Sequence, residues 1–284
     1  MYLVFDVGGT KMRVARSEDG QTFGEPIIVP TPQLFDEGVK KLGEILFAIA
    51  EGKSITAIGG GVAGPFNRER DRLVRAPHLP DWARKPLKAE LESLLDTPVF
   101  LENDTALVGL GEAVVGAGVG QPIVAYVTVS TGVGGVRIVN NSIDVHTSGF
   151  EPGHQCINFS DYGIGKCGCG GFGHLETYVS GTDFLRRFGK RPDEVDSGSE
   201  IWDIQARVLA FGLVNTIVHW TPDMVVLGGS MMKIPGIPLD AVRRHVAELL
   251  TIYDTPPLIE KSLLADLGGL HGSLAYLRRK LSLK

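Results

Sequence analysis

The chain of 284 residues has few cysteines, few aromatic side chains and no concentrated basic segment. Its 28 lysines and arginines against 33 aspartates and glutamates give a net charge of -5, and no basic face is visible, so a nucleic-acid partner is not expected. Only three cysteines occur, clustered between Cys156 and Cys169, and in a reducing compartment such a cluster indicates metal binding or reactivity more than disulfides.

Motifs of several other protein classes are missing as well. No G-x-x-x-x-G-K-[ST] sequence occurs, which excludes a P-loop nucleotide site. The opening residues Met1–Asp6 lack the basic and long apolar regions of a signal peptide and indicate a strand. No apolar run approaches the ~20 residues that span a bilayer. We therefore expect a cytoplasmic protein without a membrane partner, in one large or two ordinary domains.

The order of the apolar segments predicts a parallel α/β architecture. Apolar residues at helical spacing predict a helix near Phe35–Glu51, and buried strands are predicted at Ala57–Val62 and Val99–Glu102. In the second half, a long helix near Glu200–Trp220 leads into a strand at Met224–Leu227. A helix followed by a buried strand is typical of parallel sheets.

Each half of the chain opens in the same way, with a strand, a glycine turn and a second strand. The first glycine turn is Asp6–Thr10, and the second is Ser130–Gly135. Glycine turns let backbone N–H groups approach a ligand, and such nests bind anions. Two ordinary hairpins are the alternative, but the acid at Asp6 and the hydroxyls at Thr10 and Thr131 favour phosphate binding.

Several motifs, taken in order along almost the whole chain, resemble the ROK family of bacterial sugar kinases in the actin-like ATPase superfamily. They are DVGGTK (6–11), GVAGPFN (61–67), APHLPDW (76–82), LENDTALVGLGE (101–112), STGVGG (130–135), EPGH (151–154), CGCGGFGHLE (167–176) and VVLGGS (225–230). The resemblance implies an α/β fold of two actin-like (ribonuclease H-like) domains with an interdomain cleft. The small domain would comprise 1–107 plus 269–284, and the large domain, carrying a zinc loop, 108–268. A homodimer is also implied.

The resemblance implies an ATP-dependent hexose kinase that phosphorylates the 6-hydroxyl, with glucose the first expectation. N-acetylglucosamine, N-acetylmannosamine or fructose are alternatives, and so is a non-catalytic sugar sensor. Asp104 would be the general base, although it could simply cap the helix predicted near Thr105. The implied sugar contacts are Gly64, Asn103, Asp104, Glu151, His154 and Glu176. The implied contacts to ATP and Mg²⁺ are Asp6, Gly8, Gly9, Thr10, Lys11, Thr131, Gly132, Gly228 and Gly229.

The same resemblance implies a structural zinc site at His154, Cys167, Cys169 and His174. His174 replaces the third cysteine of the family pattern, and zinc accepts imidazole nitrogen as well as thiolate. Cys156 is the competing ligand, and reduced thiols without a metal are the remaining alternative. Two further departures leave the sugar open: His78 stands where the family often has Asn, and Ser130 where Gly is frequent.

Overall fold

The computed structural model describes residues 1–158 and 165–282, and its contacts divide into two compact units. The first unit is Met1–Val115, Val145–Gly149 and Asp266–Lys284, and the second is Gly116–Asp144 and Phe150–Ala265. Residues 283 and 284 of the predicted small domain lie outside the described residues. The strands are β1 (Tyr2–Val7), β2 (Lys11–Ser17), β3 (Ile27–Pro30), β4 (Ala57–Val62), β5 (Val99–Asn103), β6 (Ile123–Val129), β7 (Val133–Val139), β8 (Ser142–Ile143), β9 (Met224–Gly228) and β10 (Leu258–Lys261). The helices are α1 (Phe35–Ala50), α2 (Leu87–Leu95), α3 (Asp104–Val115), α4 (Glu176–Val179), α5 (Gly181–Phe188), α6 (Glu200–Trp220), α7 (Leu239–Leu249) and α8 (Gly268–Lys280).

The first unit is built on a five-stranded mixed sheet in the order β3-β2-β1-β4-β5. β2 runs antiparallel to β1, whereas β4 and β5 continue parallel to it. Successive side chains of a strand point to opposite faces. Phe5 therefore joins the core shared with α1 and α2, while Val4 packs with Leu270 of α8 on the other face. Asp6 lies on the same face as Val4, toward α8.

The second unit repeats this arrangement in the order β8-β7-β6-β9-β10. β7 is antiparallel to β6, and β9 and β10 are parallel to it. The two sheets are therefore related position by position, which confirms the repeat of layout expected from the two glycine turns. The turn between β7 and β8 places Asn140 and Asn141 at positive φ (49° and 57°), the geometry that two-residue hairpin turns require.

Helix α3 packs entirely within the first unit, past the predicted boundary at Leu107. A β-carbon on Gly111 would lie 2.6 Å from the carbonyl oxygen of Gly268, so the backbones of α3 and α8 approach closely at this position. That contact needs glycine on α3 and holds the helix with the first sheet.

Helix α6 is the one described helix that could cross a membrane by length and composition, although no such segment was expected. Its apolar residues form part of the core of the second unit, where Trp202, Leu209 and Leu213 are buried with Ala125 and Val127 of β6. Half of its most apolar 18-residue window is buried inside the structure.

Candidate functional site

Asn103 and Asp104 stand where β5 ends and α3 begins. Asn103 Oδ1 accepts a hydrogen bond from the N–H of Ala106 at 3.0 Å, and its Nδ2 donates to Asp104 Oδ1 at 3.1 Å. Asp104 Oδ1 also accepts from the N–H of Thr105 at 2.7 Å. Asn103 is thus the residue that caps α3. Withdrawal from water raises the pKa of Asp104, while the hydrogen bond from Thr105 and the neighbouring His78 oppose this shift.

Gly64 joins the same part of the first unit. Its carbonyl oxygen accepts a hydrogen bond from Asn103 Nδ2 at 3.1 Å, and its φ of +132° is one that other residues rarely adopt. The predicted sugar-contacting residues of this unit are therefore held together by the Asn103 side chain.

Asp6 is buried near the end of β1, against the first turn of α8. A β-carbon on Gly269 would lie 2.7 Å from Asp6 Cγ, so the helix reaches the carboxylate only because that position is glycine. Arg13 Nη1 lies 3.3 Å from Asp6 Oδ2. Burial and the charge of Asp104 raise the pKa of Asp6 to about 7, against the lowering effect of Arg13. A cation here would favour the ionised carboxylate.

The first glycine turn is fixed by its backbone. The N–H of Gly8 donates to the carbonyl of Lys11 at 2.9 Å, and the Thr31 hydroxyl donates to the carbonyl of Gly8 at 2.8 Å. Gly9 lies against His78, whose Cβ would be 2.6 Å from an added β-carbon. The side chains of Thr10 and Lys11 remain exposed. A rigid turn with exposed polar side chains suits a phosphate-binding loop.

The second glycine turn is held from two sides in the second unit. The carbonyl of Thr131 accepts from the Thr182 hydroxyl at 2.7 Å, and the N–H of Val133 donates to Glu176 Oε2 at 2.9 Å. Ser130 Oγ lies 3.0 Å from Ser230 Oγ. Through Ser230, this turn meets the segment of the two implied ATP contacts Gly228, which ends β9, and Gly229, which has a φ of +96°.

The four predicted zinc ligands come together in the second unit, where they form the Cys/His cluster of His154, Cys167, Cys169 and His174. Their ligand atoms all lie within 4.8 Å of one another. Cys167 Sγ is 3.5 Å from His154 Nδ1, and Cys169 Sγ is 3.3 Å from His174 Nδ1. Tetrahedral zinc with ordinary bond lengths places sulfur and nitrogen about 3.6 Å apart, so the donor set fits this ion.

The electrostatics of the Cys/His cluster depend on whether a cation is present. Burial raises the pKa of the Cys167 thiol to about 12, and the neighbouring Glu176 and Cys169 contribute to the rise. Burial and His154 lower the pKa of His174. A bound divalent cation would instead stabilise the Cys167 thiolate. The interval between His154 and Cys167 includes residues 159–164, outside the described residues.

The thiol of Cys156 is not among the ligand atoms of the Cys/His cluster, although the backbone of Cys156 forms an isolated β-bridge with His174. Cys156 is exposed, and its Sγ lies 3.8 Å from the carbonyl oxygen of Phe172. Glu151, three residues before His154, is exposed, and its Oε2 is 3.8 Å from His154 Nε2, longer than a direct hydrogen bond. Because His154 meets Cys167 through Nδ1, its Nε2 remains on the side of Glu151.

Sequence reasoning missed the partners that hold these groups. Arg13 lies beside Asp6, and Arg70 Nε donates to the buried Glu102 at 2.9 Å. Arg70 Nη2 also lies 3.1 Å from Nε2 of His146. The alternation of β2 could have placed Arg13 opposite Asp6. No local pattern joins Arg70 to Glu102, 32 residues away.

Comparisons with known proteins identify the class and then the family. The two sheets match solved kinases built of two actin-like α/β domains. A ROK hexokinase from Thermus thermophilus superposes with a TM-score of 0.83 at 28% identity, covering 98% of this chain and 99% of that one. A ROK family glucokinase from Streptomyces griseus, solved with glucose and AMPPNP, gives a TM-score of 0.79 at 26% identity with the same coverage.

The sequence pattern of the ROK family matches residues 2–280. This chain belongs to the ROK family. The N-acetyl-D-glucosamine kinase of Escherichia coli O6:H1 is 30% identical over 300 residues, covering 96% of this chain and 98% of that protein.

Proposed function

We propose that this protein is an ATP-dependent sugar kinase that transfers the γ-phosphate of ATP to the 6-hydroxyl of a hexose. The main support is the carboxylate of Asp104, fixed by Asn103 and Thr105 at a strand end, in a chain whose relatives are named as hexokinase, glucokinase and N-acetyl-D-glucosamine kinase. Phosphoryl transfer depends mainly on positioning and charge, and this chain offers rigid groups for both.

Asp104 is proposed as the general base. An ionised carboxylate can accept the proton of the attacking hydroxyl as the oxygen bonds to phosphorus, and a raised pKa makes it a better acceptor. The hydrogen bonds from Asn103 and Thr105 both reach Oδ1, so they fix the direction of the carboxylate. This orientation would be set before substrate arrives.

Mg²⁺ and ATP would be held by the glycine turns. Mg²⁺ would neutralise charge on the transferred phosphate. Asp6 is the candidate carboxylate for it: burial disfavours the ionised form of Asp6 even with Arg13 beside it, and a bound Mg²⁺ would favour that form. The remaining proposed nucleotide contacts are Gly8, Gly9, Thr10, Lys11, Thr131, Gly132, Gly228 and Gly229.

Glu151, His154 and Glu176 are proposed to bind sugar hydroxyls, with Asn103 and Gly64. Zinc in the Cys/His cluster would act as a structural crosslink of a glycine-rich loop, leaving Nε2 of His154 available to a hydroxyl. Free cysteine thiols persist in a reducing compartment, which agrees with the proposed cytoplasmic location. A homodimer remains part of the proposal by analogy with the family.

Two sugars are favoured by different relatives. Glucose is favoured by the Streptomyces griseus glucokinase, and N-acetylglucosamine by the Escherichia coli kinase. His78, which contacts Gly9, is the departure in the first unit that bears on this choice. An imidazole and an amide place their donors differently, and a site built for particular hydroxyls rejects sugars that lack them.

An ADP-release screen with Mg-ATP across hexoses and N-acetylhexosamines tests the proposed function. We expect sugar-dependent ADP release with one of these sugars and its loss in Asp104→Asn. Calorimetric binding of a sugar without ADP release from the unmodified protein would overturn the kinase proposal and support a sensor.

A further inference from the structure

We propose that Glu176 is a positioning residue through which the Cys/His cluster fixes the second glycine turn, so that metal occupancy sets the affinity for nucleotide as well as for sugar. This inference rests on the proposed function for the identity of the ligands. The linkage itself rests on contacts within the second unit.

The two oxygens of the Glu176 carboxylate have separate partners. Oε2 accepts from the N–H of Val133 at 2.9 Å, at the start of β7. Oε1 lies 3.5 Å from Cys167 Sγ, one of the four cluster ligands. A single half-buried carboxylate therefore touches both the second glycine turn and the Cys/His cluster.

The approach of Glu176 to the turn is close. A β-carbon on Gly132 would lie 2.6 Å from Glu176 Oε2, so the carboxylate occupies the space that a side chain at 132 would need. The shift of Glu176 that a larger residue would force would also remove its hydrogen bond to Val133.

Val133 is held on its other side by the segment that carries His154. A β-carbon on Gly153 would lie 2.1 Å from the carbonyl oxygen of Val133, and one on Gly135 would lie 2.7 Å from Pro152 Cγ. The residue next to one cluster ligand thus lies directly on Val133. Two short segments, one around His154 and one ending at Glu176, hold the start of β7 between them.

A metal ion would join these two segments. His154 belongs to the first, and Cys167, Cys169 and His174 belong to the second. His174 is only two residues before Glu176. The Thr177 hydroxyl donates to the backbone carbonyl of His174 at 2.7 Å. Backbone hydrogen bonds already hold parts of this loop, such as Cys167 N–H to the Gly171 carbonyl at 2.8 Å and Leu175 N–H to the Gln155 carbonyl at 3.0 Å. Glycines at 165, 168, 170, 171 and 173 make the loop entropically costly to order, and the ion would add a crosslink between its ligands.

Hydrogen exchange at the Val133 amide tests this linkage without measuring activity. In the full-length, metal-loaded protein we expect Val133 to be protected. Removal of the metal with a chelator, checked by metal analysis, should speed its exchange at least tenfold, while amides of β9 change little. Unchanged Val133 protection in verified metal-free protein would overturn the proposal.

Variants at Glu176 separate the carboxylate from the rest of the loop. Glu176→Ala should speed Val133 exchange and raise the Kd of a fluorescent ATP analogue about tenfold with metal still bound. Glu176→Gln should retain most of the protection, because the amide oxygen still accepts from Val133. Cys156→Ser is the matched control and should change neither property. Normal Val133 exchange in Glu176→Ala would contradict the proposal.

A failure of the proposed kinase function would give a different result from a failure of this linkage. If Val133 responded to metal and to Glu176→Ala but no sugar gave ADP release, the linkage would stand and the kinase proposal would fall.

Discussion

The amide nitrogen of Asn103 donates to Oδ1 of Asp104 at 3.1 Å, while the amide oxygen of the same residue accepts from the N–H of Ala106 at 3.0 Å. One side chain therefore caps α3 and orients the neighbouring carboxylate. The N–H of Ala106, the third residue of the helix, is thus bound by Asn103 and not by Asp104, and the orientation of the Asp104 carboxylate depends on Asn103.

Replacement of Asp104 by Asn should abolish most of the activity without unfolding the protein. The variant keeps an oxygen that accepts from Thr105 but cannot take a proton, so we expect kcat to fall at least ~10²-fold. Steady-state kinetics with the sugar identified by the ADP-release screen provide the measurement. Near-normal turnover would remove Asp104 as the base. Glu90→Gln, at an exposed position of α2, is a carboxylate control expected to leave kcat unchanged.

The pH dependence of stability should differ between the wild type and Asp104→Asn. The folded-state pKa of Asp104 is raised above its ordinary value of 3.8. Stability from this group is therefore fully present below pH 3.8 and is lost as pH rises through the raised value. The Asn variant lacks this loss and should gain stability relative to wild type as the pH rises from 3.8 through the raised pKa of Asp104. Denaturant unfolding at several pH values checks it. A difference in unfolding free energy between the two proteins that did not change with pH would contradict the raised pKa of Asp104.

The acidic limb of kcat/KM should report the same group. Protonated Asp104 cannot act as a base, so activity should fall as pH drops through its raised pKa, above 3.8. An Asn103→Ala variant removes one hydrogen bond to the carboxylate, which should raise that pKa and move the limb to higher pH. A limb that stayed in place would show that Asn103 does not act on the base.

Loss of Arg70 should destabilise the first unit. Arg70→Met leaves the carboxylate of Glu102 buried without the guanidinium, keeping the hydrogen bond from Asn103 N–H, and breaking a buried pair in this way costs about 3–5 kcal/mol. Arg72→Met provides the control, because its pair with Asp71 is exposed and should contribute little to stability. Urea unfolding measures both. Equal effects would indicate that the Arg70 pair is not buried in solution.

Removal of one cluster ligand should lower both metal content and thermal stability. Cys169→Ser replaces a thiolate with a poor zinc ligand, so we expect less than one bound metal per chain. A destabilisation of about 2 kcal/mol would lower the Tm by roughly 4–8 °C. Cys156→Ser should behave as wild type, because Cys156 lies outside the cluster. If Cys156→Ser lost the metal and Cys169→Ser kept it, Cys156 and not Cys169 would be the ligand.

Periodic segments and spaced ligands could be predicted from sequence because they depend on local order. The apolar segment before the glycine turn Asp6–Thr10 predicts β1 and its hairpin, and the spacing of Cys167, Cys169 and His174 anticipates ligands that the structure brings together. The catalytic and ligand-binding roles assigned to these residues stay predictions. The cap of α3 was assigned to Asp104 as an alternative, whereas the structure gives it to Asn103, because the helix begins one residue earlier than expected.

Contacts between distant segments could not be predicted in this way. Ser130 meets Ser230 across 100 residues, and Glu176 reaches Val133 across 43. Such pairs depend on which strands become neighbours and on where glycine leaves room, as at Gly132. A single sequence has no local pattern that shows which strands become neighbours or where a glycine leaves room for a distant side chain.

The matching strand orders of the two sheets, each with buried cores of its own, bear on how such a chain can diversify. Among the described residues, the Cys/His cluster belongs to one sheet's unit alone. Substitutions that reshape the loop of the Cys/His cluster leave the strand pairing of the sheet in the other unit intact. The selectivity for ligands and the integrity of the fold can therefore be altered separately, one unit at a time.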